Sequence, residues 1–283
     1  MLNRNFYPKK DALEMRVKKS QNLTGALFMS ISMAGYVTND TFVKIIGSEL
    51  GLAQTIFIRG LYCSIFIFIV FIFKNEKNIK ECFNNFSIIT VRSSLELFAT
   101  LFFLIALMNM SFANVNAILQ TLPLVMTIAA SILLNEYIGF KRAIAIILGF
   151  LGVLFIVKPG TNDFNNYSIL AIFAVLSVTF RDIITRKMPK HIPALFLSLV
   201  TSIMVTLFTG IYLVLFKIWA PIDYYILLNL GLAAIFLMVG YFFSVEAMRF
   251  GDVSFVSPFR YTLIIWALLI GYFFFKEKID FLS

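Results

Sequence analysis

Apolar residues in this chain arrive in long blocks, and polar residues are largely confined to the short stretches between them. The blocks fall at roughly 22–46, 53–73, 86–108, 112–133, 140–157, 167–187, 191–217, 223–248 and 253–275. An α-helix needs about 20 residues to cross roughly 30 Å of hydrocarbon, and the blocks are of that order. Strands of a membrane barrel would instead show segments of about ten residues with alternating polarity. The pattern predicts an all-α polytopic membrane protein with nine spans.

The polar stretches predict its orientation. Residues 1–20 are basic ("NRNFYPKK", "RVKKS") and read as a cytoplasmic tail, followed by a first span with no A-x-A-like cleavage site. Lys74, Lys77, Lys80, Lys141, Arg142, Arg186, Lys187, Lys190 and Arg249 then fall on connections that share the side of that tail. The other side carries only Lys44, Lys158, Lys217, Lys276 and Lys278. Cytoplasmic loops attract the positive charge, so the expected placement is the cell (inner) membrane, multi-pass, with the N-terminus inside.

Composition agrees: 60% of residues are hydrophobic and 14% charged, against about a quarter charged in soluble domains. The net charge of +9 is accounted for by the loop bias, so nucleic acid is not an expected partner. Cys63 and Cys82 form no CxxC and read as an apolar filler and a loop thiol. His191 is the only histidine, which excludes histidine-based metal sites and triads. No cofactor is implied.

The chain also repeats itself. "ALMNMSFANVNAILQTLPLVMTIAASILLNE" (Ala106 to Glu136) aligns without gaps on "AMRFGDVSFVSPFRYTLIIWALLIGYFFFKE" (Ala247 to Glu277). "DTFVK" (Asp40 to Lys44) echoes "DIITR" (Asp182 to Arg186) in the same order. The domains are then a tail at 1–20, a first repeat of five spans at 21–158 and a second at 159–283. Five is odd, so the second repeat would cross the membrane in the opposite sense, an arrangement typical of secondary transporters. Glu136 is followed by a full span, but Glu277 only by "KIDFLS". The tenth span implied by the repeat is expected to be missing.

With "NDTFVK", Gln54 and "FIRG", the repeat segments, and "LGFLGVLFIVKPG" closing the first half, the chain resembles the drug/metabolite transporter superfamily, specifically its EamA-domain proteins. The resemblance covers nearly the whole chain and implies ten helices in two five-helix halves. The "ND…K", "PFRY" and "KPGTNDFN" details are most similar to the S-adenosylmethionine uptake transporters within that family. The absent tenth span departs from the family pattern.

Charges inside the spans supply the candidate chemistry. Glu96 lies about 15 Å and Arg92 about 9 Å inside span three, one helical turn apart. They read either as a pair that satisfies itself, with Arg92 snorkelling inward, or as the lining of a substrate cavity. The short Glu96 side chain cannot reach an interface, which favours the cavity. Asp40 and Arg59 fall in the outer part of spans one and two, and Asp182 and Arg260 toward the inside on spans six and nine. Each couple stands to pair across helices, as structural glue or as an outer and an inner gate. Gln120 and Tyr261 share one repeat position, beside Pro123 and after Pro258, and join Glu96, Arg92 and Arg260 as candidate substrate contacts. Trp266 reads as packing, Glu136 and Glu277 as solvated or capping residues at span ends, and Gly149 and Gly152 as close helix contacts.

The function these features predict is a secondary transporter moving a small charged or zwitterionic metabolite, S-adenosylmethionine-like or amino-acid-like, by alternating access. Its partners are the lipid bilayer and a small-molecule substrate, with a coupling proton or counter-substrate left open. The alternative is an intramembrane enzyme using acidic residues of the bundle. Against it stand the lack of HExxH, of a Ser–His pair in a span and of a Gly-rich phosphate loop. Asp40, Glu96 and Asp182 are also expected at different depths, which weighs against a metal site. A channel would show a filter or an acidic ring, and neither is present in the sequence.

Overall fold

One continuous helix, α1, runs from Pro8 to Ile46, carrying part of the basic tail straight into the first apolar block. The computed structural model describes residues 8–46, 50–74, 79–110, 115, 118–157 and 166–275. After α1 come α2 (Leu52–Phe73), a short α3 (Ile79–Asn84), α4 (Phe86–Asn109), α5 (Leu122–Leu134) and α6 (Phe140–Val157). The second half continues with α7 (Asn166–Lys187), α8 (Ala194–Phe216), α9 (Tyr224–Arg249), a one-turn α10 (Val253–Val256), a 3₁₀ turn (Ser257–Tyr261) and α11 (Thr262–Phe275). Each apolar block of the sequence thus lies mainly on helix where it is described, with a turn at Gln120 and Thr121 and non-helical residues at 191–193. Six helical segments among the described residues are long and apolar enough to cross a membrane: α2, Phe86–Phe103, α7, α8, α9 and Val253–Ile270. Shorter apolar helices lie at Leu122–Leu134 and Ala143–Gly152. Glu277 and the expected gap after it fall outside the described residues.

Helical backbone satisfies its own hydrogen bonds, which hydrocarbon cannot do for it. Side chains then sort by what surrounds them. Phe73, Ile132, Leu148, Val214 and Phe273 point outward, whereas Ser32, Gln54, Ser93, Thr179, Thr185, Ser198 and Thr201 are buried between helices. Helix ends are set locally. Asn135 and Lys217 take positive φ (55° and 51°) to close α5 and α8. The Asp223 carboxylate accepts the Tyr224 N–H (2.8 Å) at the start of α9.

The helices pair across the two halves. α1 packs on α9, α4 on α7 and α2 on α8, each antiparallel. Along α1 and α9, Ser32 Oγ donates to Gly240 O (2.8 Å) and Phe42 stacks on Phe236 (5.8 Å). Along α2 and α8, Ser64 Oγ meets Ser202 Oγ (2.9 Å), and Phe71 lies 6.0 Å from Phe196. Exchanging the halves (α1 with α7, α2 with α8, α4 with α9, α5 with α11) turns the α1–α9 pair into α4–α7. It likewise turns α2–α9 into α4–α8 and α1–α11 into α5–α7, and all of these pairs are present. The α1–α9 approach requires glycine: a Cβ on Gly35 would stand 2.9 Å from both Gly240 N and Phe236 O.

Two expectations are corrected here. Gly149 does lie against Leu124, where a Cβ would come within 2.7 Å, but nothing lies within 4 Å of a Cβ on Gly152. Cys82 is not a loop thiol: it sits on α3 and is fully buried against Ile89, Ile192 and Leu197.

Candidate functional site

The α4–α7 contact places opposite charges at the middle of the bundle. Glu96 and Arg92 are one turn apart on α4, and antiparallel packing sets Arg181 and Thr185, one turn apart on α7, opposite them. The result is a ladder of two rungs. In one, Arg181 Nη1 donates to Glu96 Oε2. In the other, Arg92 Nε donates to Thr185 Oγ1 (3.2 Å) and Arg92 Nη1 to Thr201 Oγ1 on α8.

Arg181 also binds its neighbour Asp182, through Nε (2.8 Å) and Nη2 (2.7 Å) to Oδ1. The other Asp182 oxygen, Oδ2, accepts from Arg260 Nη2 on the 3₁₀ turn. A chain of four charges, Glu96–Arg181–Asp182–Arg260, thus links three helices, and the Asp182 side chain is only 2% exposed. Charges buried this deeply persist only when paired, and within membrane spans they mark functional paths more often than scaffolding. Tyr36 of α1 packs beside Ile183 and against the Tyr241 ring (6.1 Å).

Of the residues singled out in the sequence, Glu96, Arg92, Asp182 and Arg260 meet here. Three details differ from expectation. Arg92 and Glu96 do not pair with each other; each turns to α7, because the facing helix offers a better-placed partner than a residue on the same helix. Arg92 does not snorkel: it is 4% exposed and bonded inward. Glu96 and Asp182 are not separated by depth, since both bind Arg181. Among the described residues, no cluster of His, Cys, Asp and Glu suits a metal ion.

Arg181 was missed. It stands beside Asp182 near a basic span end, where an arginine is usually a loop charge. One signal was available: six residues from the end of its block, it lies as deep as Arg92 does in span three.

Asp40 and Arg59 sit apart from this network. Arg59 Nη1 donates to Asn39 Oδ1 (3.2 Å) and Asn39 Nδ2 to Asp40 Oδ1 (2.8 Å), so an amide bridges the two charges. Gln120 and Tyr261 are brought together, the Tyr261 hydroxyl donating to the Gln120 carbonyl (2.9 Å). Both lie at helix interruptions, the turn before Pro123 and the 3₁₀ turn containing Pro258. Trp266 Nε1 donates to Ser30 O (3.1 Å). Glu136 caps the start of α10, accepting the N–H groups of Val253 and Ser254, both at 2.8 Å.

Apolar clusters flank the network along the bundle. Toward the end that carries the basic tail lie Met29, Met33, Met126, Met248 and Val256 with Ile183. Toward the other end lie Ala106, Val115, Ile118, Leu122, Ala171 and Val175. The two clusters occupy repeat-related positions. In the register that aligns Asp40 with Asp182, Met29 and Met33 fall on Ala171 and Val175. In the register that aligns Ala106 with Ala247, Val115 falls on Val256. Beyond the methionine cluster opens a cleft of about 1020 Å³ lined by Asn135, Glu136, Tyr137, Arg186, Lys187 and Asp252.

Comparison with known proteins adds a family. The model described as "EamA-like transporter family" matches residues 23–158 and 166–283. The chain is 26% identical over 266 residues to an S-adenosylmethionine uptake transporter of Rickettsia prowazekii, covering 91% of this chain and 86% of that protein. The protein of the same name from Rickettsia felis is 26% identical over 264 residues, with the same coverage. A riboflavin transporter of Vibrio cholerae is 27% identical over 156 residues, 55% of this chain and 52% of that protein.

Proposed function

The chain belongs to the EamA-like transporter family, and from that premise we propose that it is a secondary transporter for a small charged or zwitterionic metabolite, working by alternating access. It is a multi-pass membrane protein of a transporter family, and the rival reading as an intramembrane enzyme falls with that membership. The observation that carries the proposal is the buried chain Glu96–Arg181–Asp182–Arg260, held between two repeat-related apolar clusters.

Nine spans in two inverted halves, with the N-terminus in the cytoplasm, fit the antiparallel pairing that is preserved when the halves are exchanged. In such a bundle the halves rock about the central site, so that one apolar cluster parts while the other closes. Glu96 and Arg181 bind each other while no substrate is present. A substrate ammonium or other cation takes the place of Arg181 on Glu96, and an anionic group takes up an arginine. Exchanging one ion pair for another keeps each buried charge partnered throughout. Asp40, Asn39 and Arg59 form a polar station on the outer side, and Gln120 and Tyr261 line the site where the two helix interruptions meet. A proton or a counter-substrate completes the cycle.

The relatives' names make S-adenosylmethionine the first substrate to test and riboflavin the second. The test is uptake of labelled S-adenosylmethionine into proteoliposomes by the parent and by Glu96→Gln. Saturable uptake by the parent that falls at least tenfold in the variant is expected, about 1.4 kcal/mol or more at the site. Equal uptake by the two proteins would remove Glu96 from the substrate path.

A further inference from the structure

Three arginines share the buried centre with two carboxylates. Arg181 holds Glu96 and Asp182, and Arg260 takes the second oxygen of Asp182. Arg92 is left with hydroxyl groups alone: among the described residues no carboxylate lies within ion-pairing distance of it, although it is 4% exposed. Its partners cannot change that balance. Thr185 Oγ1 commits its own proton to Arg181 O (2.8 Å) and Thr201 Oγ1 commits its proton to Leu197 O (2.7 Å). Each threonine therefore presents only lone pairs to the guanidinium. Ser93 Oγ meets Thr201 Oγ1 at 3.1 Å, with Ser93 left as the donor. These neutral acceptors fix the orientation of Arg92, and with three guanidinium groups to two carboxylates the described network keeps one positive charge in excess, which is costly when buried.

We propose that Arg92 is the receptor for a carboxylate carried by the transported solute, and that a carboxylate is required for transport. This rests on the transporter reading above. Among the described residues the centre is one negative charge short, which suits a monoanionic carboxylate better than a phosphate dianion. A planar carboxylate also matches the flat guanidinium edge. Glu96, one turn away on the same helix, receives a cationic group of the same solute when there is one. Of the solutes named by the relatives, S-adenosylmethionine carries a carboxylate and riboflavin does not.

The experiment is competition against labelled S-adenosylmethionine in proteoliposomes, using unlabelled S-adenosylmethionine, its decarboxylated derivative and riboflavin, with the parent, Arg92→Gln and Arg92→Lys. In the parent, the decarboxylated derivative is expected to compete about 30-fold less well or worse, the loss of one charge-assisted interaction. Arg92→Gln should weaken S-adenosylmethionine and leave the decarboxylated derivative unchanged, closing most of the gap, and Arg92→Lys should restore part of it. A merely structural arginine would weaken both alike, and that result would overturn the proposal. Equal competition by the two forms in the parent would overturn it regardless of how the variants fold. Uptake of labelled riboflavin without S-adenosylmethionine would overturn it while leaving a transporter.

Discussion

Arg181 is the residue on which the centre turns. It neutralises two carboxylates from two helices, and no other described cation contacts Glu96 within ion-pairing distance. Arg181→Gln should therefore destabilise the protein by about 3–5 kcal/mol, the usual cost of leaving a buried charge without its partner. Unfolding of the purified protein in detergent would measure this, and a loss below about 1 kcal/mol would contradict the pairing. Glu96 was legible in the sequence, because a carboxylate at that depth has no route to water. Its partner was not, since a one-dimensional pattern offers Arg92 at a favourable spacing and hides the arginine 85 positions away.

At the scale of elements, the helices were legible and the joints between them were not. Long apolar runs leave the backbone one way to satisfy its hydrogen bonds in lipid, so helix follows from composition and length. Where a span breaks depends on what can take over the freed groups. Glu136 does this for α10 from the far end of α5, an arrangement that the sequence hinted at only as a carboxylate at a span end. Glu136→Ala removes both acceptors, and a loss of about 1–3 kcal/mol is expected, measured as a lowered melting temperature. Glu136→Gln keeps one acceptor and should recover part of it.

For the whole molecule, exchange symmetry makes a kinetic prediction. Met33 and Val175 occupy equivalent places in the two apolar clusters, on opposite sides of the charge network. Both native cysteines are buried, so single cysteines at Met33 and Val175 can be read with a water-soluble thiol reagent. In an alternating-access cycle their labelling rates move in opposite directions when substrate is added. Rates that rise together would describe a continuous pore instead.

By itself the sequence determined the environment, the secondary structure and the repeat. Each of these rests on what the chain carries in order: apolar length against bilayer thickness, backbone hydrogen bonding in hydrocarbon, and side-chain identities that recur in the same order in both halves. Only the tertiary structure decided who pairs with whom. It turned Arg92 and Glu96 away from each other, joined Glu96 to Arg181, set Asn39 between Asp40 and Arg59, and left one arginine facing hydroxyls. Electrostatic partnership depends on distance in space, and in a bundle that distance is set by which helices lie side by side.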